Sequence, residues 1–279
     1  MPDLVYLNSK YISFKDAKIP IEDRGFQFSD SVYEVVKIIN KKILDFDFHM
    51  RRLKYSTSEL NFNVNVDSKL FKKIFQNLII TNKVTNGIIY LQITRGVQSR
   101  EHAYKANLKP NVIIYSTKKK FNLPNKNYRG FKAITYPDIR WGRPDIKTTS
   151  LLANIIAATE AKKKGAYETI LVKKKKITEA SHSNVWIVKG KKIITHPANK
   201  EILKGVTRTV LINIINTLGL KLIEKEFSLR ELYKSDEVFI TSSGSLVTPI
   251  IQIDSIKINN KKIGKITKTL ALSFYKSII

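Results

Sequence analysis

Ile177-Thr178-Glu179-Ala180-Ser181-His182-Ser183-Asn184-Val185-Trp186, with Asp145-Ile146-Lys147 ahead of it, is the stretch that decides how this chain is read. Glu179 is an acid set among β-branched and small hydroxyl residues, just before a strand-like run at 184–188. Lys147 is by default a solvated charge, because 50 basic residues less ten arginines leave forty lysines. What singles the two out is the chemistry they can share. A lysine amine that sheds its proton attacks a carbonyl carbon, and a carboxylate held against a ring nitrogen keeps that nitrogen protonated.

Working outward, 279 residues with 43% hydrophobic content are enough for one large or two smaller domains with a proper core. There is no cysteine, which excludes disulfides, thiolate metal sites and cysteine nucleophiles together. Met1-Pro2-Asp3-Leu4-Val5-Tyr6 is not a basic region followed by an apolar run, and no later stretch reaches the roughly 18 apolar residues of a membrane span. A soluble cytoplasmic protein is expected. The formal charge of +27 raises a nucleic-acid-binding alternative. Its lysines, however, fall in short runs at 118–120, 162–164, 173–176 and 261–262, at expected turns and helix ends. They are not gathered on one face with interleaved aromatics, so generic solvated charge is the expectation and no nucleic-acid partner is assigned. Four histidines without clustered carboxylates predict no metal site.

The pattern alternates strands and helices. Strands are predicted at 32–39, 43–46, 87–96, 111–117, 132–136, 169–172, 184–188, 192–195, 237–241 and 248–253, and helices at 48–61, 69–82, 150–164 and 207–218. Residues 118–128, charged, Asn-rich and interrupted by Pro124, are the expected linker, giving domains at 1–120 and 121–279. A polar excursion at 98–104 separates two strands, and long loops of this kind are often functional.

Several of these segments occur in a familiar order: Glu22-Asp23-Arg24-Gly25-Phe26-Gln27-Phe28, Val32-Tyr33-Glu34-Val35, Asp138-Ile139-Arg140-Trp141, Asp145-Ile146-Lys147, Glu179 to Asn184, Thr195-His196-Pro197-Ala198-Asn199, Ile202-Leu203-Lys204-Gly205-Val206-Thr207-Arg208 and Phe239-Ile240-Thr241-Ser242. The chain resembles the class IV, or fold type IV, pyridoxal phosphate (PLP)-dependent aminotransferases over nearly its whole length, and most the D-amino acid aminotransferases. The resemblance implies an α+β fold with a smaller N-terminal α/β domain and a C-terminal pseudo-barrel carrying the PLP lysine. It makes Lys147 the catalytic, Schiff-base lysine and Glu179 the partner of the pyridine nitrogen. It assigns the remaining cofactor contacts to Arg52, Ser181, His182, Ser183, Leu203, Val206, Thr207 and Ser243. Of the pair Arg51 and Arg52, helical geometry lets only one face the site, and the family register favours Arg52. Tyr33, Arg100 and His102 are expected to trap the substrate α-carboxylate, the last two reaching in from the neighbouring subunit of a homodimer.

The implied activity is transfer of the amino group of a D-amino acid, of the D-alanine or D-glutamate type, to a 2-oxo acid such as 2-oxoglutarate or pyruvate. Branched-chain L-amino acid aminotransferases and aminodeoxychorismate lyases share the cofactor residues but not the Arg-x-His pair, and remain alternatives. Two departures stand out: His182 replaces a small hydroxyl residue in a Ser-Ser-Ser run, and Gly244 replaces a hydroxyl residue nearby. Both lie beside the cofactor in that family; a histidine there can hydrogen-bond the cofactor, shape the substrate pocket or point away, and a modest change in specificity is the favoured expectation.

Overall fold

The computed structural model describes residues 3–121, 124 and 128–278. The chain divides into two units, Met1–Phe121 with Ile146–Ser150, and Asn122–Asp145 with Leu151–Ile279. The expected linker at 118–128 lies partly outside the described residues. Lys147, placed by the sequence on the C-terminal domain, falls in the first unit.

The first unit is built from β1 (Leu4–Leu7), β2 (Lys10–Ser13), α1 (Arg24–Phe28), β3 (Ser31–Ile39), β4 (Lys42–Ile43), α2 (Phe46–Glu59), α3 (Ser68–Thr81), β5 (Gly87–Thr94) and β6 (Asn111–Lys118). Its strands form one antiparallel sheet in the order β2-β1-β6-β5-β3-β4. Alternation along β3 puts Val32, Glu34, Val36 and Ile38 on one face, all buried, with Tyr33 and Val35 half-buried on the other. The apolar members of the buried face meet Met50 and Leu53 of α2 and Phe71, Ile74, Phe75 and Leu78 of α3 in one core. In α3 those residues recur at spacings of three and four, and Asp67 caps the helix start by accepting from the amides of Lys69 and Leu70. Leu53, Phe75 and Leu78 are wholly buried, each worth about 1.5–3 kcal/mol in transfer from water. The strand expected at 43–46 stops at Ile43: Asp45 turns the chain through a left-handed conformation (φ 55°), and Phe46 instead opens α2 and packs edge-on against Phe75.

The short segment Ile146–Ser150 is fastened to this unit by its backbone. The Tyr33 amide donates to the Lys147 carbonyl (3.0 Å), the Thr149 amide to the Ser31 carbonyl (3.1 Å), and the Lys147 amide to Ser56 Oγ of α2 (3.2 Å). Ile146 completes the anchor in the core.

The second unit comprises β7 (Phe131–Pro137), α4 (Leu152–Lys163), β8 (Glu168–Lys173), β9 (Lys176–Ala180), β10 (Asn184–Lys189), β11 (Lys192–Thr195), α5 (Val206–Thr217), β12 (Lys221–Glu224), α6 (Leu229–Tyr233), β13 (Glu237–Ser242), β14 (Leu246–Ile253), β15 (Ile256–Lys257) and α7 (Lys265–Lys276). Its nine-stranded sheet runs β12-β11-β10-β13-β14-β7-β8-β9, with β15 on β14, and is mixed: β11/β12, β14/β7 and β7/β8 are parallel. The middle strands are buried along nearly their whole length, as in 184–188 and 238–241, which is why they read as continuous apolar runs. Helix α7 has no counterpart in the sequence expectations. Its start is capped from a distance by Glu237, whose carboxylate accepts from the amides of Ile266 (3.1 Å) and Thr267 (2.7 Å) and from Thr267 Oγ1 (2.7 Å).

Candidate active site

In the first unit, Lys147 stands over the ring of Tyr33, with Nζ 4.0 Å from its centroid. Tyr33 stacks on Tyr90 and Tyr90 on Tyr115, a row of rings along the half-buried face of the sheet. On the opposite face Glu34 is completely buried and collects three donors. Arg52 Nε and Nη2 grip its two oxygens at 2.8 and 2.7 Å, and His49 Nδ1 lies 2.7 Å from Oε2. Burial alone would raise this carboxyl, but the Arg52 charge and hydrogen bonds, joined by His49, hold it down at about 2. Arg52 is therefore set by a fork-to-fork pair, whereas Arg51 is exposed and lies over the Phe48 ring.

Arg100 and His102 sit on the exposed excursion between β5 and β6, gathered on Phe28: the Arg100 guanidinium is 5.1 Å and the His102 ring 5.5 Å from its centroid. Buried Arg24 holds this loop by donating to the carbonyls of Glu101 (2.6 Å) and His102 (3.0 Å), while its Nε pairs with Asp30. Gln98 adds a bond to the Ala103 carbonyl (2.9 Å) and accepts from the Lys105 amide (2.9 Å). The loop is thus braced although its functional candidates are exposed, and those two side chains meet Phe28 rather than Tyr33.

In the second unit, Glu179 of β9 is 5% exposed and is the centre of a network. One oxygen accepts from Arg140 and from the Leu203 amide (3.1 Å), the other from Asn184 Nδ2 (3.0 Å). Arg140 is itself gripped by Asp138 through Nε (2.9 Å) and Nη2 (2.7 Å), and Thr178 Oγ1 donates to the same carboxylate (2.7 Å). Burial pushes the Glu179 carboxyl up to about 7, against the pull of the Arg140 charge and the Leu203 amide. It is a carboxylate short of positive charge.

Asn184 continues the network by donating to the Leu203 carbonyl as well (2.9 Å). The next residues enter α5, whose N-cap is Gly205; a Cβ there would collide with Asn184 Oδ1, so this close approach requires glycine. The start of α5 has no side-chain cap and no acid in its first turn, and Val206 and Thr207 are buried there. Such an end, with unspent amides and the positive pole of the helix, suits an anion. Ser243 follows β13 two residues past Thr241, which pairs with Asn184, so it lies at the same end of the sheet.

Ser181, His182 and Ser183 form the turn between β9 and β10 and wrap around Glu168. Its carboxylate accepts from the His182 amide (2.7 Å), Ser183 Oγ (2.9 Å) and Ser181 Oγ (3.4 Å). The His182 ring, half exposed, turns Nδ1 to within 3.2 Å of both Ser181 Oγ and Glu168 Oε1. Burial raises the Glu168 carboxyl in spite of these donors.

His49 and His196 are expected from the sequence to have structural roles, whereas Glu34, Ser56, Asp138, Arg140, Glu168 and Asn184 are not marked there as positioning residues. Glu34, Asp138, Arg140 and Asn184 lie inside the segments that carry the family resemblance, and Glu34 and Glu168 are acids within otherwise apolar strands. The absence of a metal site was inferred from unclustered carboxylates, yet the fold brings His196 together with Glu201 and Glu226.

Residues 31–253 match the family model of the class IV amino-transferases. The D-alanine aminotransferase of Listeria innocua serovar 6a is 35% identical over 277 residues, spanning 99% of this chain and 96% of the relative. That of Staphylococcus aureus strain MSSA476 is 34% identical over 276 residues, spanning 98% and 97%. Among solved structures, the branched-chain amino acid aminotransferase from Escherichia coli superposes with a TM-score of 0.90 at 23% identity, over 99% of this chain and 94% of that one. The T.th. branched-chain amino acid aminotransferase with pyridoxamine 5'-phosphate gives 0.90 at 21% identity, over 99% and 94%. At those identities the structural likenesses speak to the fold, whereas the family match and the curated relatives speak to descent: the chain belongs to the class IV aminotransferases.

Proposed function

We propose that this enzyme is a PLP-dependent D-amino acid transaminase, moving the amino group of a D-alanine- or D-glutamate-type substrate to a 2-oxo acid such as pyruvate or 2-oxoglutarate. The observation that carries the reading is the chain of contacts Glu179–Asn184–Leu203–Gly205, which fixes a charge-short carboxylate relative to an uncapped helix start. The residues present fit the cofactor at both ends. A protonated ring nitrogen would add positive charge beside the buried Glu179, whose partner Arg140 is shared with Asp138, and the amides of Val206 and Thr207 with the Thr207 hydroxyl would receive a phosphate, with Ser243 contributing at that end and Arg52 added by the family register. Leu203 and the turn Ser181, His182 and Ser183 would line the cofactor. When bound, PLP supplies the electron sink that makes a substrate Cα–H acidic.

Lys147 does the remaining chemistry. Its amine would hold the cofactor and, once released by the substrate, would take and return the proton at the substrate α-carbon. The backbone bonds of Lys147 to Tyr33 and Ser56 fix where that amine starts. Tyr33, Arg100 and His102 hold the substrate carboxylate, a task that suits the fork of an arginine. The relatives named as D-alanine aminotransferases, similar over almost the entire chain, favour the D-series over the branched-chain and lyase alternatives.

With this goes a cytoplasmic homodimer in which Arg100 and His102 serve the partner's site. Ile21 and Phe26, 79% and 76% exposed, flank the segment that bridges to the loop through Asp23 and Val97. Among the described residues no helix is long and apolar enough to cross a membrane. The test is the visible spectrum of the PLP-loaded protein during half-reactions with D-alanine, D-glutamate, L-leucine and aminodeoxychorismate. Turnover of the D-substrates is expected, with a loss of about 100-fold or more in kcat/KM in Arg100→Ala, equivalent to about 3 kcal/mol. Preference for L-leucine, or D-alanine turnover untouched by Arg100→Ala, would overturn the substrate assignment.

A further inference from the structure

His196 follows β11 and is 1% exposed. Its Nδ1 lies 2.9 Å from the Pro197 carbonyl oxygen. A carbonyl can only accept, so Nδ1 carries a ring hydrogen, and in the neutral imidazole Nε2 presents a lone pair. Among the described residues nothing makes a hydrogen bond with that buried Nε2. It faces Oε2 of Glu201 at 3.7 Å, so two electron-pair donors point at each other. Nε2 is buried while the Glu201 side chain is 39% exposed, and two acceptors facing each other there are unfavourable unless a positive charge lies between them. Glu226, on the segment between β12 and α6, brings a second carboxylate, and one ligand atom from each of the three residues lies within 4.8 Å of the others.

We propose that His196, Glu201 and Glu226 form a binding site for a first-row divalent cation of the Zn2+ type. A neutral imidazole with two carboxylates is a donor set for such ions. Ligand atoms about 2.0–2.2 Å from a tetrahedral metal lie roughly 3.3–3.6 Å from each other, close to the 3.7 Å between His196 and Glu201; the exposed Glu226 needs only a small swing. The outer contacts are also in place: the Pro197 carbonyl fixes the imidazole tautomer, and Lys173 Nζ holds the other Glu201 oxygen at 3.1 Å. Arg208 Nη2 donates to the His196 carbonyl (2.9 Å), steadying the backbone of that ligand. Bound metal would tie Glu226 to the 196–205 loop, which delivers the Leu203 amide to Glu179 and Gly205 to the start of α5. The site does not depend on which substrate the enzyme uses.

The test is titration of the chelator-treated, PLP-loaded enzyme with Co2+, followed by its visible ligand-field bands beyond the cofactor absorption. Saturation at one Co2+ per chain and displacement by Zn2+ are expected, with affinity weakened about 10- to 100-fold or more in Glu226→Gln and in Glu201→Gln. Both side chains are partly or fully exposed, so the variants keep the fold that a change at buried His196 would endanger. A rise in Tm with Zn2+ in the wild type, absent in Glu226→Gln, is the second readout. Absence of saturable bands means that the pair is closed by a proton alone, and bands of equal strength in both variants mean binding elsewhere; either result overturns the site.

Discussion

Glutamine in place of Glu179 isolates the electrostatic cost on which the cofactor reading rests. Burial holds this carboxyl at about 7 against an ordinary 4.5. Between those values the folded protein keeps a proton that the unfolded chain has already released, so folding stability falls as pH rises from 4.5 to about 7 and is level above. At roughly 1.4 kcal/mol per pH unit the loss is on the order of 3 kcal/mol, with little solvent screening to discount at 5% exposure. The substituted amide cannot ionise, and Arg140 keeps its pair with Asp138. Both tryptophans, Trp141 and Trp186, lie in the second unit, so urea unfolding followed by tryptophan fluorescence reports the unit that holds Glu179. In cofactor-free protein the Glu179→Gln variant is expected to gain about 3 kcal/mol on the wild type between pH 4.5 and 8, most of it below pH 7. With PLP bound, a protonated ring nitrogen should lower the Glu179 pKa and flatten that difference. A difference already flat without cofactor would refute the account of Glu179 as a carboxylate short of positive charge.

Two further outcomes follow from neighbouring geometry. Glu34 is held at about 2, below its ordinary 4.5, so its contribution is present above pH 4.5 and lost as pH falls toward 2; Glu34→Gln should flatten the acid-unfolding limb by about 3 kcal/mol in far-UV circular dichroism, and an unchanged limb would count against the Arg52 and His49 pairing. Gly205→Ala should drive a Cβ into Asn184 and cost about 2–4 kcal/mol through its bonds to Glu179 and Leu203, read from the urea midpoint; a wild-type midpoint would show that the approach is slack.

What the sequence made legible depended on how local its cause was. Helix α3 announces itself because Phe71, Ile74, Phe75, Leu78 and Ile79 recur on one face and Asp67 caps it two residues from the first amide it serves. Helix α7 has a comparable buried face in Thr267, Leu270, Ala271 and Phe274, but its cap is Glu237, on a strand distant in sequence, and lysines interrupt the pattern. The site shows the same divide. Lys147 and Glu179 stood out through the order of the segments around them, whereas Glu34 and Glu168 passed as ordinary acids and the His196 group depended on loops that only the fold brings together. Yet charge balance held a clue that bears on both. With 50 basic residues against 23 acids, a lysine here carries little information, while a glutamate inside a β-branched strand is scarce and expensive to bury. Glu34, Glu168, Glu179 and Glu237 are the acids of β3, β8, β9 and β13, and each organises a separate feature: the setting of Arg52, the turn at 181–183, the anchoring of Arg140 and Leu203, and the start of α7. In a strongly basic chain the acids within apolar strands therefore mark where the fold has been made to hold something in place, and they mark it before any family motif is consulted.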